Sequence, residues 1–256
     1  MPFLKGLVIA FSMYSKIPMP QFAWKEEDMK YMLCFFPWVG AVTGVLLYGW
    51  RLLCDRLGVG ELCYVCVGGA IPLIVTGGFH ADGFLDTMDA FHSYQTRERK
   101  LEILKDSHIG AFAVIMAGVY GLIYLAAFSE IRNRKMLAIF ACGFVLSRVF
   151  SGIGVIAFRP AKTDGLLFRF ADSAHKKVVF GVLCVEGVLC FTGMLFINVV
   201  AGAVVGLTAL AAFGYYRVRC YKEFGGITGD TAGYFILLSE VCMALAAALL
   251  NLCEFL

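Results

Sequence analysis

The stretch from Gly77 to Asp89 holds three carboxylates in eight residues, Asp82, Asp86 and Asp89, directly after an apolar run. At roughly 100° per residue, Asp86 lies about 40° round a helix from Asp82, and Asp89 about 20° to its other side. As a helix, the segment sends all three carboxylates from one face within two turns. Like charges at i, i+4 destabilise a helix that has nothing to neutralise them. Carboxylate oxygen is the ligand type that suits Mg²⁺ or Mn²⁺, so a divalent cation is the simplest remedy. The plain alternative is a solvated acidic helix face, and the apolar setting of the chain weighs against it.

Other residues of chemical interest follow. Asp106 stands at the entry to an apolar span, where it reads either as a helix N-cap or as a further acidic group of a metal site. His108, two residues on, is a proton carrier, a phosphate donor or a polar anchor. Arg148 follows Ser147 in the middle of an apolar span, where a charge costs roughly 2.5–3.5 kcal/mol by insertion scales and marks a functional candidate. A guanidinium there clamps a phosphate or pairs with an acidic residue. Lys162 sits in the basic loop from Arg159 to Leu166, with a turn expected at Asp164-Gly165. Gly225 to Gly233 brings Gly226, Thr228, Gly229 and Asp230 to the start of the last apolar run. Backbone N–H groups converge at such a helix start and make an anion site, and Asp230 adds a carboxylate. The Gly-Lys-Ser/Thr ending of a P-loop is missing. Glu240, ten residues further, is a second charge in an expensive place. Together these groups suit metal-assisted phosphoryl transfer, and no Ser-His-Asp or Cys-His arrangement presents itself.

The elements that must position these residues are membrane helices. Of 256 residues, 60% are hydrophobic and 16% charged, with a mean hydropathy of +0.79. Soluble domains average about 25% charged residues, so the fold class is all-α, a polytopic integral membrane protein. A helix needs about 20 apolar residues to cross the hydrocarbon core. Seven segments qualify or nearly so, at about 31–53, 63–78, 109–128, 136–158, 178–197, 199–215 and 232–250. Phe3 to Ile17 is too short and is closed by Pro18 and Pro20; it reads as an interfacial or re-entrant helix. The apolar stretch Leu7 to Ser15 lacks a small-residue cleavage site and is not read as a signal peptide. Residues 1–256 read as one membrane-embedded domain. The ten cysteines lie mostly inside apolar runs, as small hydrophobes.

Seven spans divide the loops into two sets. Sixteen of the 22 lysines and arginines fall on the side of the N-terminal arm and of loops 79–108, 159–177 and 216–231. Five fall on the other side, and Arg148 lies inside a span. The positive-inside rule places the sixteen-charge side in the cytoplasm, and the polar motifs fall on that side too. The net charge of +3 gives no basis for a nucleic-acid partner, and none is expected.

Leu73 to Asp89, taken whole, resembles the signature of the cobalamin synthase family, the adenosylcobinamide-GDP ribazoletransferases. Further matches run in the family's order: Ile17 to Pro20, Phe36 to Gly40, Leu101 to Ser107 with Ile109-Gly110, Ser147-Arg148, and Gly225 to Thr231. The resemblance covers nearly the whole chain. It implies an Mg²⁺-dependent enzyme of the bacterial or archaeal cytoplasmic (inner) membrane, with its active site facing the cytoplasm. Its substrates would be adenosylcobinamide-GDP and α-ribazole or α-ribazole 5′-phosphate, with GMP released. A homo-oligomer, or a complex with other enzymes of cobalamin assembly, is compatible with it. Three positions depart from the family's usual pattern: His108 stands for arginine, Ala90 for glycine and Leu237 for the first of two glutamates.

The resulting expectation has Asp82, Asp86, Asp89 and Asp230 binding Mg²⁺. Asp106 completes the site, and Arg148, Lys162, Gly226, Thr228 and Gly229 serve the phosphates. His80 orients substrate or carries a proton. The rival readings are a CDP-alcohol phosphatidyltransferase, whose signature needs an Ala-Arg pair shortly after Asp-Gly, and a cation transporter, which needs acidic groups near the bilayer midplane on several helices.

Overall fold

The computed structural model describes residues 2–162 and 165–253. The turn expected at Asp164-Gly165 therefore begins outside the described residues. The chain is helical throughout: α1 (Pro2–Tyr14), a 3-10 stretch (Glu26–Phe35) running into α2 (Phe36–Leu57), α3 (Glu61–Thr76), α4 (Phe79–His92), α5 (Arg97–Ile103), α6 (Ala111–Ser129), α7 (Arg134–Ala157), α8 (Leu166–Ser173), α9 (Lys176–Ile197), α10 (Val199–Phe224) and α11 (Gly229–Leu252). Six of these helical stretches are long and apolar enough to cross a membrane, and α3 with α4 makes a seventh, bent pair. The protein is a multi-pass membrane protein, as its composition requires. Helix α1 is too short to cross; it buries Ile9, Ala10, Phe11 and Tyr14 against the 3-10 stretch and α2.

Helix α7 is the hub, packed on α2, α9, α10 and α11. Helices α6 and α9 face outward, with Leu122, Val188, Leu189 and Phe196 exposed, as lipid-facing surfaces should be. Two features differ from the sequence expectation. Helix α10 continues to Phe224 rather than ending near residue 215, because the polar residues after the apolar run are also good helix formers. It stops at Gly225, whose φ of +73° closes the helix in the left-handed region. The loop expected over 159–177 also contains α8.

The chain turns by 94° between α3 and α4. Gly77 and Gly78 are consecutive left-handed residues, φ +62° and +79°, a geometry that only glycine adopts without strain. The arm after α1 is tied to this bend by Lys16 N–H, which donates to Val75 O at 2.8 Å. Helix α4 then runs onto the start of α11. A Cβ on Gly83 would lie 2.7 Å from Asp230 O, and one on Gly233 would lie 2.9 Å from His80 O. The two helices thus meet backbone to backbone, as small residues allow between membrane helices.

The ends of the bundle sort the loops as the charge pattern expects. At one end lie α4, α5, loop 159–162 and the α10–α11 turn, with Lys100 of α5 paired to Glu223 of α10. At the other, Asp55 pairs with Arg51 at 2.9 Å and with Arg134 at 2.7 Å, and Asn251 donates to Glu130 O.

The Gly83 contact is testable. Gly83→Ala forces a methyl onto the backbone of Asp230 and is expected to cost roughly 1–3 kcal/mol. Gly118→Ala, where a Cβ meets nothing within 4 Å, should be neutral. Thermal unfolding of both variants in the same detergent checks this; equal midpoints would disprove the close contact.

Candidate active site

The Gly83 contact carries the acidic face of α4 to the first turn of α11. Asp82 and Asp230 line one pocket of about 300 Å³ together with Lys105, Lys162, Thr228 and Gly229. Asp86, one turn on and half-buried, lies in the field of Asp82, Asp230 and Asp89. Asp230 in turn feels the positive charge of Lys162 and the negative charge of Asp82. A second hollow, of about 500 Å³, adjoins at the α3–α4 bend and is lined by Lys16, Gly77, Gly78 and again Asp82. Asp82 is exposed at the junction of the two. The pocket therefore offers carboxylates and ammonium groups side by side, the mixture that a metal-neutralised phosphate needs.

The pocket wall is knitted from two loops. Ile227 N–H donates to Arg159 O at 3.0 Å, and Ala161 N–H donates to Ile227 O at 2.8 Å. The Arg159 guanidinium donates to Gly225 O through Nε and Nη2, at 2.9 and 2.6 Å. Lys162 Nζ donates to Leu101 O at 2.8 Å, which fixes this lysine against α5. Thr228 is the N-cap of α11: its Oγ1 accepts from Thr231 N–H at 3.2 Å, and its own N–H donates to Thr231 Oγ1 at 2.8 Å. Thr228 Oγ1 also donates to Asp230 Oδ2 at 3.4 Å, so the cap and the carboxylate are one unit. Gly229 stands exposed at the pocket. Gly226 is buried, and a Cβ there would meet Ala161 N at 2.7 Å. Its absent side chain makes room for the loop junction.

The structure does not bring every expected residue to this pocket. Asp89 accepts from Gly110 N–H at 2.7 Å through Oδ2 and from Ala113 N–H at 2.8 Å through Oδ1. Gly110 is the N-cap of α6 and has no side chain to cap with, so Asp89 closes that helix from α4. Both of its oxygens accept there, so the structure places Asp89 at the start of α6 and not among the residues that line the pocket. Asp106 is exposed and bonded to its own loop, accepting from His108 N–H at 3.0 Å and lying 2.7 Å from His108 Nδ1. Those bonds, the backbone one first, hold its carboxyl below the usual range; it lies outside the residues that line the pocket. Among the described residues, no three His, Cys, Asp or Glu side chains are placed to hold a metal together.

Arg148 and His80 go inward instead. Arg148 Nη1 donates to Phe144 O and Ser147 Oγ, each at 3.0 Å, and pairs with Glu240 Oε1. A guanidinium in the bilayer core needs a counter-charge more than a distant substrate does. The structure thus places Arg148 in an ion pair, the alternative that the sequence left open, and Glu240 is not a lone midplane acid on a cation path. His80 is buried among Tyr14, Phe36 and Phe79, with ring centroids 5.6–6.0 Å away, on the side of α4 away from the acidic pocket. Two pocket residues carried no assignment from the sequence. Lys105 lies in a run of charged residues, from Arg97 to Asp106, in which nothing in its type or spacing sets it apart; Lys16 is 66 residues from Asp82 in sequence, a separation at which no spacing signal exists.

The family model described as Cobalamin-5-phosphate synthase matches residues 6–248. The chain belongs to that family. It is 43% identical to an adenosylcobinamide-GDP ribazoletransferase of Lachnoclostridium phytofermentans over 249 residues, 97% of this chain and 95% of the relative. It is 32% identical to the protein of that name from Clostridium botulinum over 96% of this chain and 97% of the relative. For the Listeria monocytogenes protein the figures are 31%, 90% and 92%. No solved structure matches. In this member of the family, the pocket where α4 meets α11 gathers Asp82, Asp230, Lys162, Thr228 and Gly229 from the residues expected at the site.

If Asp89 is the cap of α6, its removal acts on stability before anything else. Asp89→Ala is expected to lose roughly 1–3 kcal/mol, and Asp89→Asn, which keeps one acceptor, about half of that. Both are read from unfolding in metal-free detergent buffer. An Asp89→Ala protein as stable as the parent would show that the α6 cap is dispensable.

Proposed function

We propose that this protein is an adenosylcobinamide-GDP ribazoletransferase that joins adenosylcobinamide-GDP to α-ribazole, or to its 5′-phosphate, with release of GMP. The observation that carries the reading is the single pocket in which Asp82 and Asp230 face Lys105 and Lys162, in a chain whose close relatives bear that name. The reaction is a displacement at phosphorus. A hydroxyl oxygen of the acceptor forms a bond to the phosphate attached to cobinamide, the bridging P–O bond to GMP breaks, and the hydroxyl loses its proton.

The donor set fits Mg²⁺. This ion keeps several waters and is usually held by one or two carboxylates plus substrate phosphates, not by an all-protein cage. Asp82 and Asp230, which line one pocket, are such a pair. When bound there, Mg²⁺ supplies charge neutralisation and alignment of the diphosphate. The protein's own groups do the rest. Lys162 and Lys105 set positive charge beside the phosphates, with Lys162 anchored by Leu101 O. Thr228 orients Asp230. The N-terminus of α11 opens on the pocket at the exposed Gly229 and sets the positive end of its dipole toward anionic oxygen. Glycine at 83 keeps the distance between Asp82 and Asp230 short.

The reading also places the pocket at the cytoplasmic face of a bacterial inner membrane, on the side where sixteen lysines and arginines gather. GMP release from purified protein with adenosylcobinamide-GDP and α-ribazole is expected to require Mg²⁺ and to stop with EDTA. Asp82→Asn should lower the rate roughly 100-fold or more with unchanged thermal stability. Metal-independent turnover, or an Asp82→Asn enzyme as active as the parent, would overturn the metal reading. A reporter fused after Ser129 should be extracytoplasmic, and cytoplasmic activity of that fusion would invert the topology.

A further inference from the structure

A cavity of about 340 Å³ opens inside the bundle between α3, α4, α6, α7 and α11. It falls in the size range of small-molecule sites, about 300–1,000 Å³. Its walls are apolar, including Ala81, Leu85 and Gly121. Its floor is not. Arg148, His80 and Tyr124 line it with 1%, 3% and 4% of their surface exposed. Arg148 Nε, both His80 nitrogens and the Tyr124 hydroxyl have no hydrogen-bond partner. Buried polar groups left in this state cost stability, and three such side chains around one void mark a place shaped for something that supplies their partners.

The cavity is not isolated from the acidic site. Ala81, Leu85 and Thr76 also line the hollow at the α3–α4 bend, where Asp82 stands. The two are divided only by these side chains, so an occupant of the apolar chamber that extends past them comes to Asp82. A phosphate is excluded from the chamber, whose wall is nearly all hydrocarbon and whose one guanidinium is already paired to Glu240. The corrin ring system is far too large. A flat aromatic heterocycle with a single unprotonated ring nitrogen matches both the walls and the unpaired donors.

We infer that this chamber is the acceptor subsite, taking the benzimidazole base of α-ribazole between α3, α4 and α6 while the ribose faces Asp82. The inference rests on the ribazoletransferase reading and deepens it. The base buries its rings against Leu85 and the α6 wall, and its free ring nitrogen accepts from Arg148 Nε–H or from the Tyr124 hydroxyl. His80 is then a positioning residue of the chamber. The arrangement also gives the step a reason to be in a membrane: the helices provide a dry slot for an apolar base next to a wet pocket for a diphosphate.

Gly121 gives the test. It lines the chamber, and a Cβ there meets nothing within 4 Å, so Gly121→Phe fills the void without touching the backbone. Equilibrium dialysis measures α-ribazole binding to the full chain in detergent, without donor; binding of adenosylcobinamide-GDP is measured in parallel as a check on folding. Gly121→Phe should weaken α-ribazole binding about tenfold or more with donor binding unchanged. Tyr124→Phe, a milder change, should weaken it about three- to tenfold. Gly118→Phe, exposed on the same helix, should bind both like the parent. Parent-like α-ribazole binding in both chamber variants overturns the inference, while GMP release by the parent keeps the transferase reading. A lipid that co-purifies with the parent but not with Gly121→Phe, with α-ribazole bound equally by both, overturns it in favour of an acyl chain. A parent that neither binds α-ribazole nor releases GMP overturns both.

Discussion

The backbone contact between α4 and α11 is the constraint on which the rest depends. Gly83 lies on Asp230 and Gly233 on His80, and each pair would be pushed apart by a single methyl. Because the helices are in contact there, the backbones of Asp82 and Asp86 are held beside the start of α11, in the field of Asp230. Repulsion among carboxylates is usually relieved by side-chain motion in water. Here it is built into the packing of two membrane helices, and the opposing charge in the pocket comes from Lys105 and Lys162. The 94° bend at Gly77-Gly78 serves the same end. It turns α4 away from the direction of α3 and lays the acidic face across the mouth of the bundle.

The loops complete the pocket by mutual dependence. Arg159 is held by Gly225 O, Ala161 by Ile227 O and Lys162 by Leu101 O, so segments from three parts of the chain fix one another. Asp89 adds the start of α6 to the same unit. One acidic face thus does two jobs. Its first carboxylate, Asp82, lines the pocket, and its third satisfies the backbone N–H groups that a glycine-started helix leaves open.

Much of this was legible in the sequence, for reasons that differ by element. The spans follow from apolar length, and the sorting of loops from the lysine and arginine count, because a membrane punishes errors in both. The acidic face of α4 follows from helical period alone. What the sequence hid was pairing at long range. Nothing in the spacing of Asp82, Asp86 and Asp89 distinguishes the one that lines the pocket from the one that caps α6, since that depends on Gly110 arriving from 21 residues away. Arg148 reads equally as a phosphate clamp or as half of an ion pair until Glu240 is placed 92 residues away. The extra turns of α10 were missed because charged residues signal the end of a membrane span and not the end of a helix.

The ion pair of Arg148 and Glu240 sets the limit on what the bundle interior can bind. Two buried charges in hydrocarbon are tolerated when each answers the other, and removal of one partner strands its mate at a cost of about 3–5 kcal/mol. A pair so committed cannot also clamp a diphosphate, because the guanidinium would have to abandon the carboxylate in the least polar part of the molecule. It can still offer the N–H that Glu240 leaves unused to a neutral acceptor, which asks for no charge to be moved. The division between the two compartments follows from this. Anionic chemistry belongs where Asp82 and Asp230 meet lysines and water, and uncharged recognition belongs behind α4, where the charges are already spoken for.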